Sequence, residues 1–170
     1  KNQLMRLCCM KYSTLSCMAV ILFLLPLLAL TPPSYTLKGK AVRIVDGDTF
    51  DLLVDKTTHR IRLAGIDAPE KSQDFGTAAK QLLGTLFAGE VLTVVVTDTD
   101  RNKRKIAEVY TANKRWVNKE MIAKGMAWHF VKYSKNKELA AAEQLARKQK
   151  IGLWSLSNPV APWEWRKKKR

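Results

Sequence analysis

Cysteine is almost absent from this sequence. The three cysteines, Cys8, Cys9 and Cys17, all lie within the first 17 residues. The rest of the chain therefore forms neither a disulfide scaffold nor a cysteine-bound zinc site. Histidine is also scarce, with two residues in 170. A metal site would depend on oxygen ligands, which favour Ca²⁺ or Mg²⁺ over zinc.

Acidic residues are few. The chain has 15 Asp and Glu against 30 Lys and Arg, and its formal net charge is +15. Residues 1–30 hold three of the bases and no acid, so the remainder, with 27 bases and 15 acids, keeps a charge of +12. Such an excess attracts polyanions, and nucleic acid, anionic lipid and acidic polysaccharide are the candidates. A basic surface that only keeps the protein in solution is the alternative.

Long apolar runs are absent after residue 30. The one such run, Met18 to Leu30, follows a basic stretch, which is the pattern of a secretory signal peptide. It is shorter than the ~20 residues that span a bilayer, but extension back to residue 15 brings it close, so a membrane tether through residues 15–30 is the alternative. We expect residues 1–36 to be a signal peptide or an N-terminal membrane anchor. The chain would then be exported, either secreted or periplasmic, or remain anchored if the leader is not cleaved.

Alternating βαβ units are also absent. The apolar pattern predicts three short strands within residues 40–45, 48–55 and 59–66, and then a helix within 78–87. Two more strands follow within residues 90–97 and 104–111, and two helices within 117–122 and 137–150. This order argues against a doubly wound parallel sheet. We predict an α+β, mainly β fold over residues 37–156: a five-stranded OB-fold barrel capped by about three α-helices.

The last residues, 157–170, are predicted to form a basic tail that contains Trp and Pro. It ends in the sequence WRKKKR. Pro159 and Pro162 are expected to keep this tail extended, while Trp154, Trp163 and Trp165 anchor it on the domain.

The scarce acids cluster at the two ends of one segment, residues 46–70. Asp48 continues the apolar face of its strand, and Asp67 stands where the next strand ends. If the barrel sets these strands side by side, the two carboxylates converge. They are then tolerable only with a positive ion between them or with a raised pKa. The structural alternative is that Asp46 or Asp48 caps a turn and Asp67 is a hydrogen-bond acceptor at a loop end.

Two arginines favour a chemical site. Arg62 precedes Asp67 in its strand, and Arg104 opens the fifth strand behind a basic loop. A metal, a free carboxylate and two guanidiniums are the groups needed to cleave a phosphodiester, because they neutralise the phosphoryl oxygens and activate a water. The alternative for either arginine is a surface ion pair.

Six segments, taken together and in order, resemble the thermonuclease family, whose best-known member is staphylococcal nuclease. They are VDGDT (Val45–Thr49), RLAGIDAPE (Arg62–Glu70), DRNKRKIAEVY (Asp100–Tyr110), VNKEMIAKGMAW (Val117–Trp128), KYSK (Lys132–Lys135) and GLW (Gly152–Trp154). The resemblance covers residues 38–154. It implies an OB-fold nuclease that requires one Ca²⁺ ion, accepts DNA and RNA, and cuts the P–O5′ bond to leave 3′-phosphate ends.

The same resemblance implies a set of metal ligands. Asp48 and Asp67 match the family's calcium carboxylates, and the main-chain carbonyl of Ala68 matches a further ligand.

The resemblance also implies catalytic and substrate-binding residues. Glu70 matches the general base or water-positioning residue, and Arg62 and Arg104 match the two arginines that clamp the scissile phosphate. Tyr133 matches a tyrosine near the nucleotide. Lys103, in the basic loop before Arg104, is a second predicted substrate contact.

The chain departs from the family pattern just before Arg104. Asn102 and Lys103 stand where the family commonly has an aromatic residue and a glycine. This substitution puts the alignment of Arg104 in question more than it does the type of reaction.

We therefore predict an exported, Ca²⁺-dependent nuclease with little sequence specificity, since no groove-reading helix is evident. A non-catalytic OB-fold nucleic-acid-binding module is the main alternative, and a membrane-tethered domain that only holds polyanions is a third. A complete set of catalytic residues favours the enzyme. DNA and RNA are the expected partners, with no obligate protein partner and a monomeric state.

Overall fold

The computed structural model describes residues 34–168. Their strands are β1 (Tyr35–Ile44), β2 (Thr49–Val54), β3 (Thr57–Leu63), β4 (Ile66–Asp67), β5 (Leu92–Thr99), β6 (Lys105–Tyr110) and β7 (Trp128–His129). Their α-helices are α1 (Gly76–Phe87), α2 (Val117–Ala123), α3 (Lys137–Lys148) and α4 (Pro162–Lys168), and a short 3₁₀ helix covers Gly152–Ser155.

Five of the strands close into a barrel in the order β1-β2-β3-β6-β5, with β5 pairing back to β1. Strands β3 and β6 run parallel, and the other neighbours are antiparallel. The predicted five-stranded OB-fold barrel in a mainly β, α+β fold is confirmed. Strands β4 and β7 form a separate two-stranded sheet at one end.

The barrel encloses an apolar core. Phe50 and Leu52 of β2, with Ile61 of β3, are fully buried, because alternate residues of a strand point to the same face. Helix α1 covers one end of the core, where the ring of Phe87 lies 4.6 Å from that of Phe50.

The predicted third strand is interrupted. The sequence predicts one strand over residues 59–66, whereas β3 ends at Leu63 and β4 begins at Ile66. Gly65 lies between them with φ of 71°, a left-handed conformation that glycine adopts at little cost. This break turns Asp67 away from the barrel wall and into the β4–β7 sheet.

The prediction of an extended C-terminal segment is wrong from residue 162 onward. Pro162–Lys168 forms helix α4, and the tryptophans do anchor it as predicted. The ring of Trp163 stacks on Phe130 at 5.1 Å and meets Trp128 edge-on at 5.6 Å. The observed chain thus has four α-helices over residues 34–168, where about three were expected.

Within residues 34–168, no helix is both long enough and apolar enough to cross a membrane. The signal peptide or anchor predicted for residues 1–36 lies almost entirely outside the described residues, as does the tether proposed for residues 15–30.

Candidate active site

The turn between β1 and β2 fixes Asp48. Asp46 begins the turn, and its Oδ1 accepts a hydrogen bond from the Asp48 main-chain N–H at 3.1 Å. A Cβ atom at Gly47 would lie 2.7 Å from the Cβ atoms of both Ala68 and Ala79, so glycine lets the turn pack this closely. Asp48 is buried, and its Oδ2 accepts the main-chain N–H of Ala68 at 2.8 Å.

Arg62 lies between the two buried aspartates. Its Nη1 is 2.7 Å from Asp48 Oδ2, and its Nη2 is 2.9 Å from Asp67 Oδ1. Nη1 also donates to the carbonyl of Ile66. The antiparallel register pairs Arg62 with Thr49, the residue after Asp48. The predicted convergence of Asp48 and Asp67 is confirmed, and the metal-binding role assigned to them stays a prediction.

Glu70 lies in the turn that follows β4. A Cβ atom at Gly76 would clash with the Glu70 main-chain carbonyl, so the start of α1 packs directly on this turn. The Glu70 side chain is 40% exposed, and its Oε1 is 2.7 Å from Nη1 of Arg166 in α4. Arg166 Nη2 lies 2.7 Å from Asp67 Oδ2. Glu70 is therefore connected to Asp67 through an arginine from the end of the chain.

The site carries an excess of negative charge. It holds four carboxylates and two guanidiniums, those of Asp46, Asp48, Asp67, Glu70, Arg62 and Arg166. Burial and the charge of Asp48 raise the pKa of Asp46 to about 6. Burial also raises the pKa of Asp67, although Arg166 and Arg62 act in the opposite direction. The site thus holds two more carboxylates than guanidiniums.

The donor set limits what could bind there. Among residues 34–168, no three His, Cys, Asp or Glu side chains are grouped closely enough to hold a metal ion. Asp48 and Asp67, whose carboxylates bond to Arg62 and Arg166, offer oxygen atoms only, and oxygen is the ligand type that Ca²⁺ and Mg²⁺ prefer.

Arg104 is not joined to this group. Its Nε and Nη2 are each 2.8 Å from Asp100 Oδ2, and its main-chain N–H donates to Asp100 Oδ1. Arg104 immediately precedes β6, whose parallel partner β3 carries Arg62. Arg62 in β3 and Arg104 at the start of β6 therefore lie at neighbouring strands, but of these two arginines only Arg62 contacts Asp48 and Asp67.

The departure from the family pattern at residue 103 leaves the turn in place. Lys103 has φ of 61°, the left-handed conformation in which a glycine would be unstrained. Its main-chain N–H donates to the Asp100 carbonyl at 2.9 Å. Lys103 is exposed, so its side chain is free to meet a polyanion.

The other predicted site residues are placed differently. Ala68 is buried, and its N–H is the group that contacts Asp48. Tyr133 is 72% exposed, with its ring edge-on to Phe130 at 4.8 Å. Tyr133 is thus available to solvent and makes no contact with the acidic group in residues 34–168.

Comparison with known proteins identifies this arrangement. The family model described as staphylococcal nuclease homologue matches residues 60–156, which is more than half of the chain. The chain belongs to the staphylococcal nuclease family. The predicted family and its hydrolase class are confirmed.

Relatives in this family come from bacteria and plants. An "Uncharacterized endonuclease" of Escherichia coli O157:H7 is 40% identical over 131 residues, which cover 77% of this chain and 86% of the relative. A "Micrococcal nuclease" of Shigella flexneri is 36% identical over 165 residues, 91% of this chain and 95% of the relative. An "Uncharacterized 38.1 kDa protein" of Capnoides sempervirens is 43% identical over 129 residues, 75% of this chain but 37% of that longer protein.

One residue at this staphylococcal nuclease site is absent from the predictions. Arg166 lies beyond the part of the chain that the family model matches, and in the sequence it is one base among several in a terminal cluster. Its partners Asp67 and Glu70 are 99 and 96 positions away. No local spacing signals a contact over that distance.

Proposed function

We propose that the chain is a Ca²⁺-dependent nuclease that hydrolyses phosphodiester bonds of DNA and RNA with little sequence specificity and leaves 3′-phosphate ends. The observation that carries this proposal is the continuous group in which Arg62 joins Asp48 to Asp67 while a neighbouring carboxylate, Glu70, remains partly exposed. Buried acids, a guanidinium and an accessible carboxylate are the parts that phosphodiester hydrolysis requires. The basic, then apolar pattern of residues 1–30 supports export as part of the same proposal.

Substrate binding begins with Arg62. Its contacts to Asp48, Asp67 and the Ile66 carbonyl use Nη1 and Nη2, which leaves the Nε–H to donate to a phosphate oxygen. Arg104 is 31% exposed and would exchange its bond with Asp100 for one to the same phosphate. Two guanidiniums on neighbouring strands can then hold the phosphoryl group in one orientation.

Asp48, Asp67 and the main-chain carbonyl of Ala68 would hold the Ca²⁺ ion. The excess of carboxylates over guanidiniums at the site supports a cation there. When bound, this ion supplies a Lewis acid that polarises the phosphoryl group. Ala68 is the residue after Asp67, and its main-chain N–H donates a hydrogen bond to the Asp48 carboxylate. The three proposed ligands therefore lie close together.

Glu70 would act on the attacking water. Arg166 engages its Oε1, so we assign the other carboxylate oxygen, Oε2, to accept the water proton or orient the water. Attack of the water oxygen on phosphorus breaks the P–O5′ bond. The phosphate stays on the 3′ oxygen of the upstream strand, and the leaving O5′ takes a proton from solvent, so that the downstream strand carries a 5′ hydroxyl.

Replacement of Glu70 tests this assignment. We expect Glu70→Gln to lower kcat by roughly 10²–10⁴, the usual contribution of general acid–base catalysis. Affinity for single-stranded DNA in chelator should stay the same, because the guanidiniums are intact. Glu138→Gln is the matched control, since Glu138 is an exposed carboxylate that pairs with Lys119. A Glu70→Gln variant as fast as wild type would remove Glu70 from the reaction.

The main alternative is a non-catalytic OB-fold module that binds nucleic acid. Such a module needs the basic surface but not the joined acids. It predicts binding without turnover, and the same assay separates the two functions.

A further inference from the structure

The turn that carries Glu70 lies between β4 and α1 and holds its main chain through internal contacts. The N–H of Gln73 donates to the Glu70 carbonyl at 2.8 Å, the N–H of Glu70 donates to Gln73 Oε1 at 3.2 Å, and the N–H of Gly76 donates to the Gln73 carbonyl at 2.9 Å. None of these contacts restrains the Glu70 carboxylate. A side chain 40% exposed on such a turn would sample several rotamers. A residue that acts on one water molecule needs a single orientation.

The C-terminal segment supplies the missing constraint on the side chain. Arg166 Nη1 is 2.7 Å from Glu70 Oε1. Arg166 also forms a bidentate pair with Asp67, in which the Nη2–Oδ2 distance is 2.7 Å and the Nη1–Oδ1 distance is 3.3 Å. The guanidinium is charged at any working pH, and because it bonds to both carboxylates it fixes Glu70 relative to Asp67.

The same segment also holds the main chain of the turn. Gln73 donates through Nε2 to the carbonyl of Val160, just before α4. Helix α4 is itself docked through Trp163, whose ring stacks on Phe130. The turn is thus tied to the C-terminal segment at two points, one through Gln73 and one through Arg166.

We propose that Arg166 is a positioning residue that holds the Glu70 carboxylate in its working orientation, so that the active site is completed by helix α4. This inference rests on the proposed function, because it assigns Arg166 to the Glu70 of that reaction. It goes beyond the family match, which ends at residue 156. A forked guanidinium suits the task because it can bond to two carboxylates at once, whereas a lysine ammonium is a single compact charge.

The test compares three full-length variants on single-stranded DNA, with calcium raised for each until its rate stops increasing. Arg166→Met removes the guanidinium, and Arg166→Lys keeps the charge without the fork. Lys167→Met is the matched control, because it removes one positive charge from the next position of α4 and an exposed pair with Glu164. Tryptophan fluorescence and thermal unfolding in chelator check that α4 stays docked, which the packing of Trp163 should ensure.

We expect Arg166→Met to lower kcat by about 10-fold to 100-fold, the range for a misplaced catalytic group, with KM unchanged. Arg166→Lys should recover only part of the loss, and Lys167→Met should match wild type.

Three results would overturn the proposal. They are a raised KM with normal kcat, which indicates a substrate contact; a lowered calcium requirement with normal kcat, which indicates competition with the cation; and kinetics identical to wild type. An inactive wild type would overturn both proposals, whereas an active wild type with equal kcat for Arg166→Met would overturn this one alone.

Discussion

At the scale of single residues, Arg62 and Arg104 differ in how much their ion pairs contribute to the stability of the fold. The Arg62 side chain is 12% exposed and balances two aspartates that are 8% and 1% exposed. Arg104 pairs with Asp100, which is 21% exposed. Removing one partner of a buried ion pair leaves an uncompensated charge in the interior, while a partly solvated pair contributes little. The arginines should therefore be similar in catalysis and different in stability.

Replacement of each arginine by methionine separates these roles. Arg62→Met should lower the free energy of unfolding in chelator by about 3 kcal/mol, because it leaves the buried Asp48 without an ion-pair partner and Asp67 with Arg166 alone. Arg104→Met should lower it by about 1 kcal/mol or less. Both variants should lose nuclease activity. Urea unfolding and a DNA-cleavage assay give the two readouts, and equal stability losses would contradict the difference in burial.

The buried residues of the site were largely predictable, and its exposed partners were not. Asp48 shares the alternation of its strand, and Asp67 was expected where the next strand ends, so the pairing of these strands predicted that the two carboxylates converge. The break at Gly65, which places Asp67 in β4, was not predicted. Arg104 is different, because its orientation depends on the Asp100 side chain within the same loop. A sequence pattern specifies that an arginine is present but not which acid it meets.

At the scale of elements, β2 is tied to both of its neighbours by one buried carboxylate. Asp51 Oδ2 is 2.7 Å from Arg43 Nε of β1, and Asp51 Oδ1 is 2.6 Å from Arg60 Nε of β3. The hydrogen bond from Arg60, with that from Arg43, holds the pKa of Asp51 below its ordinary value although burial opposes it. Three strands of the barrel are therefore joined by charge near the site.

The ion pairs of Asp51 predict a pH-dependent stability. The pKa of Asp51 in the folded protein lies below the ordinary 3.8. The stability that these ion pairs contribute is therefore complete above pH 3.8 and is lost as the pH falls through the folded-state pKa. We expect Asp51→Asn to cost about 1 kcal/mol at pH 7, because both arginines are well exposed and their attraction is screened. Urea unfolding from pH 7 to pH 3 measures the difference from wild type, which should shrink below about pH 4. Asp74→Asn, at an exposed acid, is the control, and a difference as large at pH 3 as at pH 7 would contradict the ionic origin.

Helix α4 shows why one element escaped prediction. Two prolines within a few residues favour an extended chain, but Pro162 is the first residue of α4, where proline costs no hydrogen bond and its fixed φ suits a helix. The seven residues are too few to form a stable helix alone. Packing of Trp163 on Phe130 stabilises it, and that contact depends on the folded β7 region, which a local pattern does not include.

At the scale of the whole molecule, the charge distribution has two parts. The chain carries +15 overall, whereas the site is locally acidic because Asp46, Asp48, Asp67 and Glu70 outnumber its arginines. The basic surface attracts a polyanion from any direction, and the acidic centre would repel it without a cation. Under the proposed function, the basic surface brings nucleic acid to the protein, and the acidic site makes hydrolysis depend on a bound divalent ion.

The most direct check is cleavage of an end-labelled single-stranded DNA and an equivalent RNA by the protein, in Ca²⁺ and in excess chelator. We expect fragments only in Ca²⁺, with 3′ ends that a polymerase extends only after phosphatase treatment, and binding without fragments in chelator. Fragments that form equally in chelator, or binding without cleavage in Ca²⁺, would contradict the proposed metal-dependent nuclease.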